Sequence, residues 1–561
     1  MNLLLLSENI PFCKIDQEPD AQGEIHIFTQ FFIHRDPVRN SEIRQCIRLN
    51  TMNPLVTKIH LLNERMYSED EIGTVSDKVV QVDMGRRLRF SDVFQYIRKC
   101  NIQGYLILTN VDIFFDSTLG NLMISNLCFE KSVITQLRFE YRGDDNMDTP
   151  IQNLPLKDSQ IFGPRFDSQD TWIFHSNNFI RKSEEKAFTF EFGKPGCDNK
   201  TIYLLSILGY KLYNDPVFVK TYHNHKSNQR DYSIKDSIGR PWGGLCPAGY
   251  NPYLLPPCIG INMQVIQQTQ QDIWFDDNNK LFQYIKAKVE NNESFIIPRI
   301  AGVENNTAVF GKLCVDRAEA LLPTMKKNAG VKMSNRDSIQ RYSQMYLKAF
   351  DNCETYFGWD VQGNYIGHIA ESHQYIRATY PTKNMLWSLA LDIFHYIYLT
   401  PWTHALAGKR ILLISPFEDS LKEKIDIRNK LWGDTGVDLF PDCTFSFIKP
   451  PMTQAEEESN EFDQELEAFF VKLDEMKDTY DIALASCGGY GNLVCNHIFE
   501  NHQKSAIYVG GVLQMYFGIL GNRWLEERPD VIRLFLNEYW SRPKEHERPK
   551  GCQSIERGCY W

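Results

Sequence analysis

Apolar positions near the N-terminus fall into short bursts separated by segments with helical spacing. Glu24 to Phe32, EIHIFTQFF, Lys58 to Asn63, KIHLLN, and Lys78 to Val82 read as strands. Asp36 and Pro37 open a helix as N-cap and first-turn proline, with Ile43, Ile47 and Leu49 as its apolar face. Phe90, Val93, Phe94 and Ile97 recur at helical spacing. Tyr105-Leu106-Ile107-Leu108 is a continuous apolar run, the pattern of a parallel strand buried on both faces. Strands alternating with helices over about 90 residues predict a mostly parallel sheet.

A second α/β system follows. Asp231 to Pro257 is rich in Gly, Pro and aromatics, which places a boundary at Pro256-Pro257. Beyond it, strands are expected at Phe295–Ile297, Lys409–Ser415, Thr444–Ile448, Tyr480–Ala485 and Ser505–Val509, with helical patterns over Thr307–Tyr398. Thr453 to Lys477 carries acids at helical spacing, a solvated face. The expected organisation is α/β with two Rossmann-like domains, 1–258 and 259–540, and a C-terminal tail, 541–561.

At 561 residues the chain exceeds a single core, and its 43% hydrophobic and 24% charged content is that of a globular protein. A net charge of -10 argues against a nucleic-acid binder, whose phosphate contacts need a basic surface. No apolar run reaches the roughly 20 residues that span a bilayer. The opening MNLLLL is too short for a signal peptide and is expected to be an edge strand or frayed terminus. The 14 cysteines form no CxxC pair, so a cytoplasmic setting is expected. No G-x-G-x-x-G follows the first strand, so the dinucleotide fingerprint is missing.

Polar residues cluster where strands end. After the Tyr105 run come Asn110, Asp112 and Asp116. Ligands of open α/β sheets bind beyond the carboxyl ends of strands, and a carboxylate there suits Mg²⁺ or Mn²⁺ against a diphosphate. The alternative is that Asp112 caps a turn and Asp116 a helix. Arg142 to Phe166 has the composition of a long loop over an active site. Asp170 precedes Trp172-Ile173-Phe174, where Trp172 is either a stacking ring or core. Asp198 sits at the start of a helix expected over Lys200–Leu208, where the macrodipole favours a carboxylate. His223 and His225 share one face if extended, and one of them completes a metal site or is a core histidine. In the second half, Gly488-Gly489-Tyr490-Gly491 between a strand and a helix is a physical anion site, although no G-K-[ST] of a Walker loop follows.

The pieces IHIFTQFF, KIHLLNE, GRRLRFSDVF, LTNVDIFFD, SQDTWIF, PGCDN and YHNH resemble a family of glycosyltransferases with a GT-A-like nucleotide-sugar domain. Residues 290 to 525 resemble GT-D-type glycosyltransferases through RIAGVE and SCGGYGNLVCNHIF followed by KSAIYVGG, with Gly302 where that type has an Asp two places before Glu304. The resemblance implies two transferase modules that move sugars from UDP- or dTDP-linked donors to a glycan or glycoconjugate acceptor. It implies Mn²⁺ or Mg²⁺ on Asp112 with His223 or His225, Asn110 at the donor, and Asp198 or Asp170 as base. In the second module it implies Gly488 to Gly491 and Arg299 on the diphosphate, with Glu304 as acid–base or donor-binding residue. The alternative is one active module with the other as a binding or assembly domain.

Overall fold

The N-terminal apolar runs pair as strands. β1 (Ile25–Thr29), β2 (Lys58–Asn63), β3 (Val79–Asp83) and β4 (Tyr105–Thr109) run parallel, joined through α1 (Pro37–Met52), α2 (Glu69–Ile72) and α3 (Phe90–Lys99). They belong to a computed structural model that describes residues 23–143, 159–163, 165, 167–227, 233–239, 243–245, 247, 266–358, 367–527 and 529–561. The chain divides into two compact units, Met1–Gln271 and Asp272–Trp561. The boundary expected at Pro256-Pro257 and most of the loop expected over Arg142–Phe166 lie outside the described residues.

The first unit continues with β5 (Ile113–Phe115), β6 (Ser132–Gln136), β7 (Phe139–Tyr141), β8 (Ser159–Ile161), β9 (Thr171–His175), α4 (Cys197–Ile207), β10 (Lys211–Tyr213) and β11 (Thr221–His223). The main sheet has the order β10-β6-β9-β4-β1-β2-β3, and a smaller one has β5-β11-β7-β8. β9 is antiparallel to both of its neighbours, so the sheet is mixed rather than purely parallel.

Local sequence explains the elements that hold the site. The Asp36 carboxylate accepts the Val38 amide at 2.8 Å, with Pro37 next to it, which starts α1 as expected. Ile43 and Ile47 of α1 join Ile25, Ile27, Ile59 and Ile107 in one core. Gly104 has φ +95°, and a Cβ there would lie 2.3 Å from the Glu24 carbonyl oxygen. Only glycine therefore lets the Tyr105 amide bond that carbonyl at 2.8 Å and seat β4 beside β1.

α5 (Ile266–Glu290), which begins before the second unit's first residue, Asp272, precedes β12 (Ile296–Ile297) and α6 (Gly302–Leu313). Then come β13 (Thr355–Gly358), β14 (Asn384–Trp387), β15 (Arg410–Ile414), β16 (Thr444–Ile448), β17 (Ile482–Ala485) and β18 (Ser505–Tyr508). A parallel sheet has the order β12-β18-β17-β15-β16, and β13 pairs with β14 separately. The helical reading of Thr307–Tyr398 is corrected by that pair, whose four-residue strands are too short to interrupt the surrounding helical periodicity. Residues 541–561 pack onto this unit: Cys559 and Trp561 are buried, and the Glu547 carboxylate accepts the Asp419 and Ser420 amides at 2.9 and 3.2 Å.

Candidate active site

The chain leaves β1 toward β2 on one side, while β4 occupies the other side of β1. That reversal of strand order is where open α/β sheets form a ligand crevice beyond the carboxyl ends of strands. A cavity of about 850 Å³ lies there, within the size range of small-molecule sites, and is lined by Asn110, Asp112, Asp170, Asp198, His223 and His225 among others. These six expected site residues thus line one cavity, whereas Asp116 and Trp172 do not.

A line of ionic contacts runs through it. Arg39 of α1 pairs with the Asp112 carboxylate and with Glu42 at 3.0 Å. His223 Nε2 lies 3.1 Å from Asp112 Oδ2, and its Nδ1 lies 3.0 Å from Glu140 Oε2. Arg138 donates to Glu140 at 2.8 Å and also pairs with Asp170. Asn110 donates to Asp170 Oδ1 at 2.7 Å. Burial would raise the Asp112 carboxyl, but His223 and Arg39 outweigh it and hold it well below the usual carboxylate range. Burial likewise opposes ionisation of Glu140, and the hydrogen bond from His223 with the Arg138 charge brings it down to about 2. Burial and Arg138 oppose protonation of His223, yet Asp112 and Glu140 raise its pKa.

The YHNH segment is held on α1. The Glu42 carboxylate accepts the Lys226 and Ser227 amides at 2.8 and 2.9 Å, and Asn224 donates to Gln45 at 2.6 Å. β11 ends at His223, so His225 is beyond the strand. The two imidazoles still meet, with ring centroids 5.2 Å apart. Ligand atoms of Asp112, His223 and His225 lie within 4.8 Å of one another. Asp112 Oδ1 is buried with no hydrogen-bond partner among the described residues. An orphaned carboxylate oxygen beside two imidazoles is a donor set that fits a divalent cation.

Asp198 departs from expectation in two ways. Gly196, in the left-handed region at φ +80°, is the N-cap of α4, so Asp198 stands in the first turn rather than capping it. Its Oδ2 accepts the Gln169 amide at 3.3 Å. The macrodipole was expected to favour the carboxylate form, but burial, then the Asp170 charge, push its pKa up to about 7. Trp172 is core, 1% exposed in β9 and edge-on to Phe90 at 5.1 Å, and offers no stacking platform. Asp116 is the capping residue of its alternative reading, accepting the Thr118 amide at 2.9 Å and the Tyr222 hydroxyl at 2.8 Å.

In the second unit Gly488–Tyr490 forms a 3₁₀ turn ahead of the helix Gly491–His497. The space a Cβ would need is filled by the chain itself: a Cβ would lie 2.9 Å from Ala329 O at Gly488, 2.4 Å from Val331 Cγ2 at Gly489, and 2.3 Å from the Tyr508 ring at Gly491. Close packing therefore requires these glycines without any ligand. The Tyr508 and Tyr342 hydroxyls donate to the carbonyls of Gly488 and Gly489 at 2.8 and 2.9 Å. Arg299 exchanges backbone bonds with the Asn492 side chain at 3.0 Å and donates from Nη1 to the Val509 carbonyl at 2.9 Å. Burial pushes the Glu304 carboxyl up; burial and then the Glu304 charge push the Tyr342 and Tyr508 hydroxyls up.

Arg39, Arg138 and Glu140 went unread in the sequence. Arg39 and Asp112 are 73 residues apart, and His223 and Glu140 83 apart, so no local spacing signals either contact.

The fold and cavity define an α/β protein with a ligand crevice at a sheet switch point. No protein-family model matches the chain, and no curated protein does. Among solved structures, the mannosyltransferase PcManGT from Pyrobaculum calidifontis, in complex with GDP-Man and Mn²⁺, aligns with 10% identity and a TM-score of 0.25 over 38% of this chain. This chain spans 62% of that one. A 4-diphosphocytidyl-2C-methyl-D-erythritol synthase aligns with 8% identity and a TM-score of 0.21, over 38% of this chain and 95% of that one. At these TM-scores neither alignment bears on function.

Proposed function

We propose that the first unit is a nucleotide-sugar-dependent glycosyltransferase acting on a glycan or glycoconjugate hydroxyl. The observation that carries this reading is Asp112, with its orphaned buried oxygen beside His223 and His225, in the same cavity as a carboxyl poised near neutrality. Asp112, His223 and His225 would hold Mn²⁺ or Mg²⁺, which neutralises charge developing on a diphosphate leaving group. Glu140 on Nδ1 fixes the orientation of His223 and leaves Nε2 toward the site. Arg138 and Asn110 fix Asp170 beside Asp198, whose pKa it helps to raise. Asp198 then takes the acceptor proton as the acceptor oxygen bonds to the anomeric carbon and the sugar–diphosphate bond breaks. A base with a pKa about 7 suits proton transfer at neutral pH.

A second reading concerns the other unit. The packing of Gly488, Gly489 and Gly491 against Ala329, Val331 and Tyr508 favours a binding or assembly domain there rather than a second GT-D-like catalytic module. Incubation of the chain with UDP-, dTDP- and GDP-sugars, with and without Mn²⁺, tests the proposal through release of nucleoside diphosphate. Cation-dependent release that Asp112→Asn removes is expected. No release from any donor, with or without acceptor glycans, refutes it.

A further inference from the structure

A second cluster of metal-ligating side chains lies in the other unit, away from the residues assigned so far. The helix Phe462–Glu475 supplies Asp474, and the π-turn Ile498–His502 follows the helix Gly491–His497. A π-turn brings residues five apart into line, and here it sets His497 beside His502, with ring centroids 5.5 Å apart. Gln503, at φ +56°, closes the turn. Both imidazoles direct Nε2 at one oxygen, Asp474 Oδ1, each at 2.7 Å.

We propose that Asp474, His497 and His502 form a transition-metal site, with Zn²⁺ as the cation its donors suit best. Two imidazole nitrogens and one carboxylate oxygen are a three-ligand set that leaves a fourth position for water. Tetrahedral bonds of about 2.0–2.1 Å separate ligand atoms by roughly 3.3 Å, so each 2.7 Å contact has to open by about 0.6 Å. Asp474 is half-exposed near the end of its helix and free to make that adjustment.

The surroundings hold the rings in place. Phe470 stacks on His497 with centroids 3.8 Å apart and 11° between the planes. The Tyr480 hydroxyl lies 2.6 Å from His502 Nδ1, and Asn501 Nδ2 lies 3.1 Å from His497 Nδ1. Each ring therefore has a partner on Nδ1, the arrangement that orients histidine ligands of metals. Without metal, both rings carry hydrogen on Nε2 and donate it to Asp474. With metal on Nε2, that hydrogen moves to Nδ1, Tyr480 oxygen accepts it from His502, and the Asn501 amide turns over to accept it from His497. The cation would cross-link the helix Phe462–Glu475 to the turn that leads into β18.

The test is Zn²⁺ titration of the metal-stripped full chain by calorimetry, in wild type and in His497→Gln/His502→Gln. The same pair of chains is compared again with His223→Gln/His225→Gln/His546→Gln added, which removes the Asp112 cluster and the Asp419–His546–Glu547 cluster. The proposal expects loss of one equivalent of Zn²⁺ from the His497→Gln/His502→Gln chain in both backgrounds. Peptide-mapped diethylpyrocarbonate labelling of wild type, which needs no variant to fold, should show His497 and His502 protected several-fold by Zn²⁺. Unchanged stoichiometry, or equal labelling of both histidines with and without Zn²⁺, overturns the site.

Discussion

Asp198 illustrates how burial competes with local hydrogen bonding at a single residue. The Asn199 and Gln169 amides favour the carboxylate, but burial and Asp170 prevail and lift the pKa from 3.8 to about 7. A carboxyl whose folded pKa is raised is stabilised when protonated, so its contribution is full below about pH 4 and is lost as pH rises toward about 7. Asp198→Asn mimics the protonated form. It should match wild type at pH 4 and exceed it by about 1–2 kcal/mol at pH 8, after discounting for the partly open cavity, as denaturant midpoints will show. The same variant should lose transferase activity by about 10²-fold or more, and wild-type kcat/KM should rise through a limb about pH 7. A pH-independent rate with full activity in Asp198→Asn would reassign the base to Asp170. Arg39 supplies the converse case. It is buried between Asp112 and Glu42, so Arg39→Ala leaves two buried carboxylates short of a cation. A loss of about 3 kcal/mol is expected at pH 7, less if His223 takes up the charge.

Among the elements, short strands rich in apolar and β-branched residues and bounded by polar ones were legible. Lys58–Asn63 and Thr444–Ile448 were expected with the bounds observed. Asp36 and Pro37 marked the start of α1 because capping is local chemistry. β9 was missed as a strand: TWIFH reads as an apolar fragment, and only its antiparallel pairing with β4 and β6 defines it. β5, β7, β8 and β11 are three residues long, too short for a period to register. At the site, residues at strand and helix ends could be read: Asp112, Asp170, Asp198 and both histidines line one cavity. Arg39, Arg138 and Glu140 could not, because a charged residue in sequence reads as solvated until the fold supplies its partner. Element packing also yields a prediction. Gly104→Ala would place a Cβ 2.3 Å from the Glu24 carbonyl and force an unfavourable φ on alanine. A loss of about 2–4 kcal/mol is expected from urea unfolding, with β1 and β4 separated at the site.

At the scale of the whole molecule, two units each carry their own sheet and core. Residues 1–258 and 259–561, expressed separately so that α5 stays whole, should each unfold cooperatively, and the first alone should keep donor turnover. Donor turnover found only in the second fragment would reverse the assignment of catalysis. The central claim is that a cation held at Asp112 carries that turnover. Its most direct measurement is Mn²⁺-dependent release of nucleoside diphosphate by wild type, Asp112→Asn and His225→Gln, each matched for folding by circular dichroism. The account predicts a fall of at least about 10²-fold in Asp112→Asn and a rise in the Mn²⁺ concentration needed by His225→Gln. Undiminished release by a folded Asp112→Asn, at the same Mn²⁺ dependence as wild type, would contradict it.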